Sequence, residues 1–251
     1  MKRTLTFLLF LCCAAATGLG QAAENFNYPA GDSLSMKSGG AGFSDSWRLL
    51  KGNNQTSIGA GGIVVNALGA KTSGNHLSIK HSAGQNGARF FRKLAAPVAD
   101  DGNVYFMSWV METEFSDPAT NGSVCQAMLV NSAAYAAGGP NGQLVRMGKI
   151  FNSEKFGIDG QRVGAVQLVA DTDTRNADWV VVMIKMSGDA DREFFYVFVD
   201  PVPNTALDSA QADYKFRAEL NTGFDAIGGK LEGPATLNGR IDDLRFGTSL
   251  Q

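Results

Sequence analysis

Three short runs constrain this chain more than anything else in it. Residues 104–112 (VYFMSWVME), 179–185 (WVVVMIK) and 193–199 (EFFYVFV) are dense in aromatic and β-branched side chains and have the length of strands. No segment reads as a long helix, so the fold must be built from sheets. Weaker runs of the same kind lie at 58–67, 76–81, 88–94, 125–131, 144–151, 163–171 and 240–246, which predicts about ten strands. Glycine punctuates them, at Gly122, Gly138, Gly139, Gly142, Gly228 and Gly229 among others. Asp200, Pro201, Val202 and Pro203 end a strand abruptly, because proline cannot donate to the ladder. Residues 204–213 then read as a loop with room for one helical turn.

Alternation within the strong runs predicts two packed sheets. In 104–112 one face carries Tyr105, Met107, Trp109 and Met111, which is large and apolar, while the other is mixed. In 193–199, Phe194, Tyr196 and Phe198 oppose Phe195, Val197 and Val199, so this strand is apolar on both faces and is expected to lie centrally. A sandwich whose outer face is partly covered by loops or by a ligand accounts for both patterns. A parallel α/β sheet would also give two-sided strands, but it needs crossover helices that the chain lacks.

The first 23 residues read as a secretory leader. Lys2 and Arg3 precede an apolar run of 12 residues, 5–16, followed by small residues that permit cleavage after Ala22 or Ala23. That run is short of the ~20 residues of a membrane span. The expected mature chain, 24–251, is then periplasmic or extracellular, and of the three cysteines it keeps only Cys125, which is expected to be a small core residue. Stability must come from packing and sheet hydrogen bonds.

Charge narrows the partners. The whole chain has 22 basic and 24 acidic residues, and loss of Lys2 and Arg3 makes it more acidic still, with no run of like charge. Nucleic acid and anionic membrane surfaces, which need concentrated Lys and Arg, are poor partners. Neutral polymers such as polysaccharides remain, since aromatic faces and hydrogen bonds suffice to hold them.

Two segments carry a resemblance. The opening has Phe26, Tyr28, Gly31 and Leu34, then Gly39, Gly40, Gly42, Phe43 and Trp47; the closing part has Phe198, Val199, Asp200 and Pro201, then 241–248 (IDDLRFGT). In this order they resemble the concanavalin A-like (laminin G-like) jelly-roll domains of secreted bacterial proteins. The resemblance implies an all-β, two-sheet antiparallel β-sandwich over 24–251. It also implies that structural calcium is possible, as such domains often hold it. Read on their own, Gly39, Gly40 and Gly42 allow turns with positive φ. Asp242, Asp243 and Arg245 read as charges that guard the solvent face of a closing strand.

Few residues suggest chemistry. Glu112 and Glu114 stand at alternate positions of one strand in an E-x-E-x-x-D pattern, similar to the E-x-D-x-x-E strand of jelly-roll glucanases; paired carboxyl groups ~5 Å apart are what a retaining glycosidase uses. Asp171, Asp173 and Asp178 alternate in a loop, as calcium ligands do, but Arg175 interrupts them. His76 and His81 have no nucleophile beside them and read as surface or turn residues. Trp47 and Tyr135 are the aromatic residues expected to be exposed and to hold a sugar face. The expected function is therefore a secreted, non-catalytic module that binds carbohydrate or another cell-surface polymer. The alternatives are a glycoside hydrolase or polysaccharide lyase using Glu112 and Glu114, and a structural envelope protein with no small ligand.

Overall fold

A computed structural model describes residues 22–52, 54–85, 87–117, 121–138, 142–189 and 192–249. The predicted leader up to residue 21, and Gly139, Pro140 and Asn141 of a predicted turn, lie outside the described residues. In chain order the strands are β1 (Ala22–Glu24), β2 (Arg48–Lys51), β3 (Thr56–Gly59), β4 (Val64–Val65), β5 (Ala70–Lys71), β6 (His76–His81), β7 (Ala88–Val98) and β8 (Val104–Glu114). There follow β9 (Val124–Val130), the short helix α1 (Ser132–Ala136), β10 (Gln143–Lys149), β11 (Phe156–Asp159), β12 (Gln167–Leu168), β13 (Asp178–Lys185), β14 (Glu193–Val199), β15 (Tyr214–Ala218), β16 (Phe224–Glu232) and β17 (Leu237–Gly247).

These strands form two large antiparallel sheets. One has eight strands in the order β15-β14-β13-β8-β17-β6-β3, with β1 added to β17; the other has seven, β12-β11-β10-β9-β16-β7-β2. The chain changes sheet from β6 to β7, β7 to β8, β8 to β9 and β16 to β17, so hydrogen-bonded neighbours such as β8 and β17 are far apart in sequence. That interleaving is the jelly-roll form of a two-sheet β-sandwich, the expected fold class.

The inner faces make the core as alternation predicts. Tyr105, Met107, Trp109 and Met111 of β8 are all buried there with Cys125, Ala127 and Leu129 of β9, and Trp109 meets Phe156 at 6.2 Å between ring centroids. Each large side chain buried in this way contributes about 1.5–3 kcal/mol.

Several expectations need correction. β14 lies second from the edge, between β13 and β15, and not at the sheet centre. β16 runs straight through Gly228 and Gly229, which read as a turn. A Cβ on Gly229 would stand 2.5 Å from the ring of Phe90, so these glycines are there because β7 and its aromatics pack against the strand. The run at 163–171 pairs only at Gln167–Leu168, while β11 and β15 went unread. β17 is no closing edge, because β8 flanks it on one side and β6 and β1 on the other. Asp242 is wholly buried, accepts from the Thr72 hydroxyl and the Asp243 amide, and has its carboxyl pushed up to about 6 by that burial.

One buried ion pair ties the opening of the chain to the sandwich. Glu24 and Arg92 are 1% and 3% exposed and meet at 2.8 Å. The Glu24 carboxylate also accepts from the Phe26 amide (2.9 Å), the Tyr28 hydroxyl (2.7 Å) and the Trp47 indole N–H (3.0 Å). Arg92 donates further to the carbonyls of Asp45 and Gly39 and lies 4.3 Å over the Phe43 ring. The glycines of this segment have the predicted use: Gly40 and Gly42 take positive φ, 73° and 75°, which lets the chain bridge to Ala23. Ala22 and Ala23, which the sequence reading gives to the leader, pair with Phe246 and Arg245 in β1.

Candidate functional site

The outer face of the eight-stranded sheet carries more apolar surface than a solvated face needs. Register aligns Arg245, Ser108, Val181 and Phe198 in one row across β17, β8, β13 and β14. The next row is Phe106, Met183, Tyr196 and Lys215, and the one after it Val104, Lys185, Phe194 and Arg217. Phe194 is 40% exposed and stacks on Tyr196, with rings 6.2 Å apart and 15° from parallel, while the Arg217 guanidinium covers it at 4.4 Å. Farther along, the β4–β5 hairpin covers the sheet, packing Ile63 and Val65 on Val110 and against Trp179.

A cleft of about 590 Å³ opens on this face. Phe106, Ser108 and Trp179 line it on the sheet, residues 201–207 form one wall, and Asp243 and Arg245 lie along it as well. Local backbone shapes it. β14 stops at Val199, Asp200 takes φ 50°, and the two prolines carry the chain across the face, with Val202 left 70% exposed. A bulge in β17 between Asp242 and Arg245 puts Asp243 at φ 48°, from where it accepts from Arg245 Nε at 3.0 Å. The Trp179 indole N–H and the Ser108 and Tyr196 hydroxyls make no hydrogen bond among the described residues. The face thus joins half-buried aromatic rings to polar atoms whose hydrogen bonds remain to be made.

A second cleft, of about 600 Å³, lies beyond Trp179 and is acidic. It is lined by Asp171, Asp173, Asp178, Asp200 and Asp213 with Thr172 and Asn176. Asp173 is occupied by Arg175, whose Nε reaches it at 2.9 Å, and this pairing holds its carboxyl below the usual range. Asp200 accepts from the Trp179 amide and Asp213 from the Val199 amide, both at 2.8 Å. Asp178 is only 8% exposed, and its carboxylate makes no hydrogen bond among the described residues. Burial, then the charges of Asp200 and Asp173, push it up to about 7. The structure therefore brings together the three aspartates read as calcium ligands. Among the described residues, however, no three acidic, histidine or cysteine side chains are placed to hold a metal ion.

The other predicted residues lie elsewhere. Trp47 is not exposed: it is fully buried among Phe26, Phe43 and Phe90, so it shows no face to a sugar. Tyr135 is likewise fully buried, edge-on to Phe91 at 5.8 Å, where α1 packs on the outer face of the seven-stranded sheet. Glu112 and Glu114 do follow each other on the outer face of β8, but Glu112 pairs with Arg240 at 2.7 Å and Glu114 accepts from Asn238 at 3.2 Å. Neither lines the two clefts. His76 and His81 are buried and bonded to the carbonyls of Gly61 and Gly233, both at 2.7 Å, and are not surface residues.

Trp179, Phe194 and Tyr196 sit in two of the three strong strand runs, and sequence reasoning gives them no site role. The signal was the two-sided apolarity of β14, which already asked for a cover on its outer face.

No protein-family model matches the chain, and no curated protein does. Among solved structures it is similar to an endo-1,3-beta-glucanase from Streptomyces sioyaensis at 12% identity and TM-score 0.49, over 93% of this chain and 98% of that one. It is also similar to a Lotus tetragonolobus seed lectin, at 11% identity and TM-score 0.42, over 80% and 96% of the two chains. A sialidase matches at 10% identity and TM-score 0.47 over 70% of this chain, which spans only 16% of the sialidase's length.

Proposed function

We propose that this protein is an exported carbohydrate-binding module whose glycan lies across the outer face of the eight-stranded sheet. The observation that carries the reading is the cleft at Trp179: a partly buried indole that lines it, with the indole N–H and the neighbouring Ser108 hydroxyl unbonded among the described residues, beside the Asp243–Arg245 pair. Sugars offer this kind of surface an apolar ring face and a rim of hydroxyls. Phe194 and Tyr196, in a neighbouring depression of about 500 Å³, extend the platform.

The test is a glycan array with the purified chain, followed by a product assay on each glycan retained. Trp179→Ala is expected to weaken retention by about tenfold or more, the scale of one lost aromatic contact (~1.4 kcal/mol), and also to lower the melting temperature, because the indole packs against the β4–β5 hairpin, so retention is read well below the variant's melting transition. Retention unchanged in Trp179→Ala would refute the assignment of the cleft. Cleavage of a retained glycan would replace the binding module with an enzyme.

A further inference from the structure

The outer face of the seven-stranded sheet gathers cations that no single segment of the sequence suggests. Register sets Arg89 of β7, Lys230 of β16 and Gln126 of β9 side by side in one row, with Lys51 of β2 beside Arg89 at the edge. Arg146 of β10 follows one row on, opposite Asp159 of β11. Farther along the same face the surface turns apolar, where Phe91, Met128 and Ala226 pack with Tyr135 of α1.

The carboxylates present do not answer this charge. Arg89 occupies both oxygens of Glu232, and Lys51 and Lys230 approach the same carboxylate only to 3.7 and 3.9 Å, so three cations share one anion. Asp159 is taken by Arg146 and by the Gln126 amide, each at 2.8 Å. Lys230 is 6% exposed, lies deeper than the arginines on either side of it, and donates no hydrogen bond among the described residues. Burial, then the charge of Arg146, brings its ammonium down to about 8, so it is still charged at neutral pH. Two more polar atoms of the cluster are buried without a hydrogen-bond partner among the described residues. They are Gln126 Oε1 and the Tyr135 hydroxyl, which feels the charges of Arg89, Glu232 and Arg146. Buried groups left unpaired in this way cost stability unless something binds them.

These unmet groups define their complement. The Lys230 ammonium and the Tyr135 O–H are donors that an oxyanion would satisfy, whereas Gln126 Oε1 is an acceptor that a hydroxyl would satisfy. A metal cation would be repelled by Lys230 and the two arginines. We propose that this face binds a small hydroxylated anion, with its carboxylate or sulfate group seated on Lys230 and Tyr135 between Arg89 and Arg146 and a neighbouring hydroxyl on Gln126. The site lies on the opposite sheet from the Trp179 cleft and does not depend on it.

Titration calorimetry at neutral pH with glucuronate, glucose 6-sulfate and glucose tests this. At least one of the two anions is expected to bind about 10- to 100-fold more tightly than glucose, the scale of a charge-assisted hydrogen bond, and the tighter of them names the group the site takes. Lys230→Met should abolish that preference and melt no lower than wild type, since it removes a buried charge that lacks a hydrogen bond. Tyr135→Phe should reduce the preference by about 2- to 10-fold. Lys80→Met, the same loss of charge at an exposed position of the other sheet, should change nothing, and Trp179→Ala should leave the preference intact. Equal losses in Lys230→Met and Lys80→Met would reduce the effect to net charge and overturn the proposal. So would a preference that survives Lys230→Met, or glucose bound as tightly as both anions.

Discussion

Glu24→Gln is the perturbation that most directly tests how the opening of this chain is held. The substitution keeps the shape of the side chain and removes its charge, leaving the Arg92 guanidinium buried with only two carbonyls and the Phe43 ring for company. Breaking a buried pair by neutralising one partner costs about 3–5 kcal/mol, because the remaining charge stays desolvated. Two side-chain donors, the Tyr28 hydroxyl and the Trp47 indole, lose a charged acceptor at the same time. Against a total stability of about 5–15 kcal/mol this is a large fraction. In urea, with a slope of about 2–3 kcal/mol per molar, the midpoint is expected to fall by about 1–2 M. A double variant, Glu24→Leu with Arg92→Met, removes both charges and should recover most of the loss, since well-packed apolar groups can replace such a pair at little cost. A fall worth less than ~1 kcal/mol in Glu24→Gln, or a double variant no better than the single, would refute the reasoning.

Four further outcomes follow from the same structure. Asp178 keeps its proton up to about 7 in the folded chain, while the unfolded chain releases it near the ordinary carboxylate value of ~4. The unfolded state therefore binds fewer protons between these values, and stability falls as pH rises through the window. A shift of this size corresponds to about 4 kcal/mol for a dry group and roughly half that beside an open cleft. Asp178→Asn should thus melt higher than wild type above pH 7 and lose the advantage at low pH; parallel melting curves at both would count against it. Cys125, fully buried with its thiol pushed up to about 12, should resist a thiol reagent until the chain is unfolded in denaturant; rapid labelling of the native protein would contradict its burial. Gly229→Ala should cost about 1–3 kcal/mol in denaturant unfolding by driving a methyl into the Phe90 ring, and Phe90→Leu should relieve part of that strain. Because Ala22 and Ala23 pair with Phe246 and Arg245 in β1, a chain that begins at Glu24 is expected to melt lower than one that begins at Ala22, and equal melting temperatures would refute this.

The strands most legible in the sequence were those that alternate cleanly or are saturated with β-branched and aromatic residues. β6 and β14 end where the pattern ends, and β8 and β13 extend it by no more than two residues. β16 was hidden because Gly228 and Gly229 carry the local signal of a turn, and only the presence of Phe90 on the neighbouring strand explains them as places where a side chain has no room. β11 and β15 were too short for their own periodicity to stand out, and take their order from β10 and β14 beside them. Register between distant segments was equally out of reach: nothing local to β17 says that β8 and β6 lie on its two sides, so its charges looked like edge protection when one of them, Asp242, is a buried acceptor.

The site was legible only in part, for a related reason. Trp47 stands in a glycine-rich segment, which suggests exposure, yet that segment is held down by a glutamate 23 residues earlier and an arginine 45 residues later. Trp179 stands in a core-like run and yet points outward, because alternation assigns Val180 and Val182 to the core and leaves the indole to the cleft. Composition around an aromatic residue is thus a poor guide to its exposure in a sandwich, where the parity of its position in the strand decides which side it takes. The same parity that hides Phe195 and Val197 brings out Phe194 and Tyr196. An apolar residue on the outer parity of a strand that also fills its inner parity must be covered by something or stay exposed, and here Phe198 is 4% exposed while Phe194 is left 40% exposed.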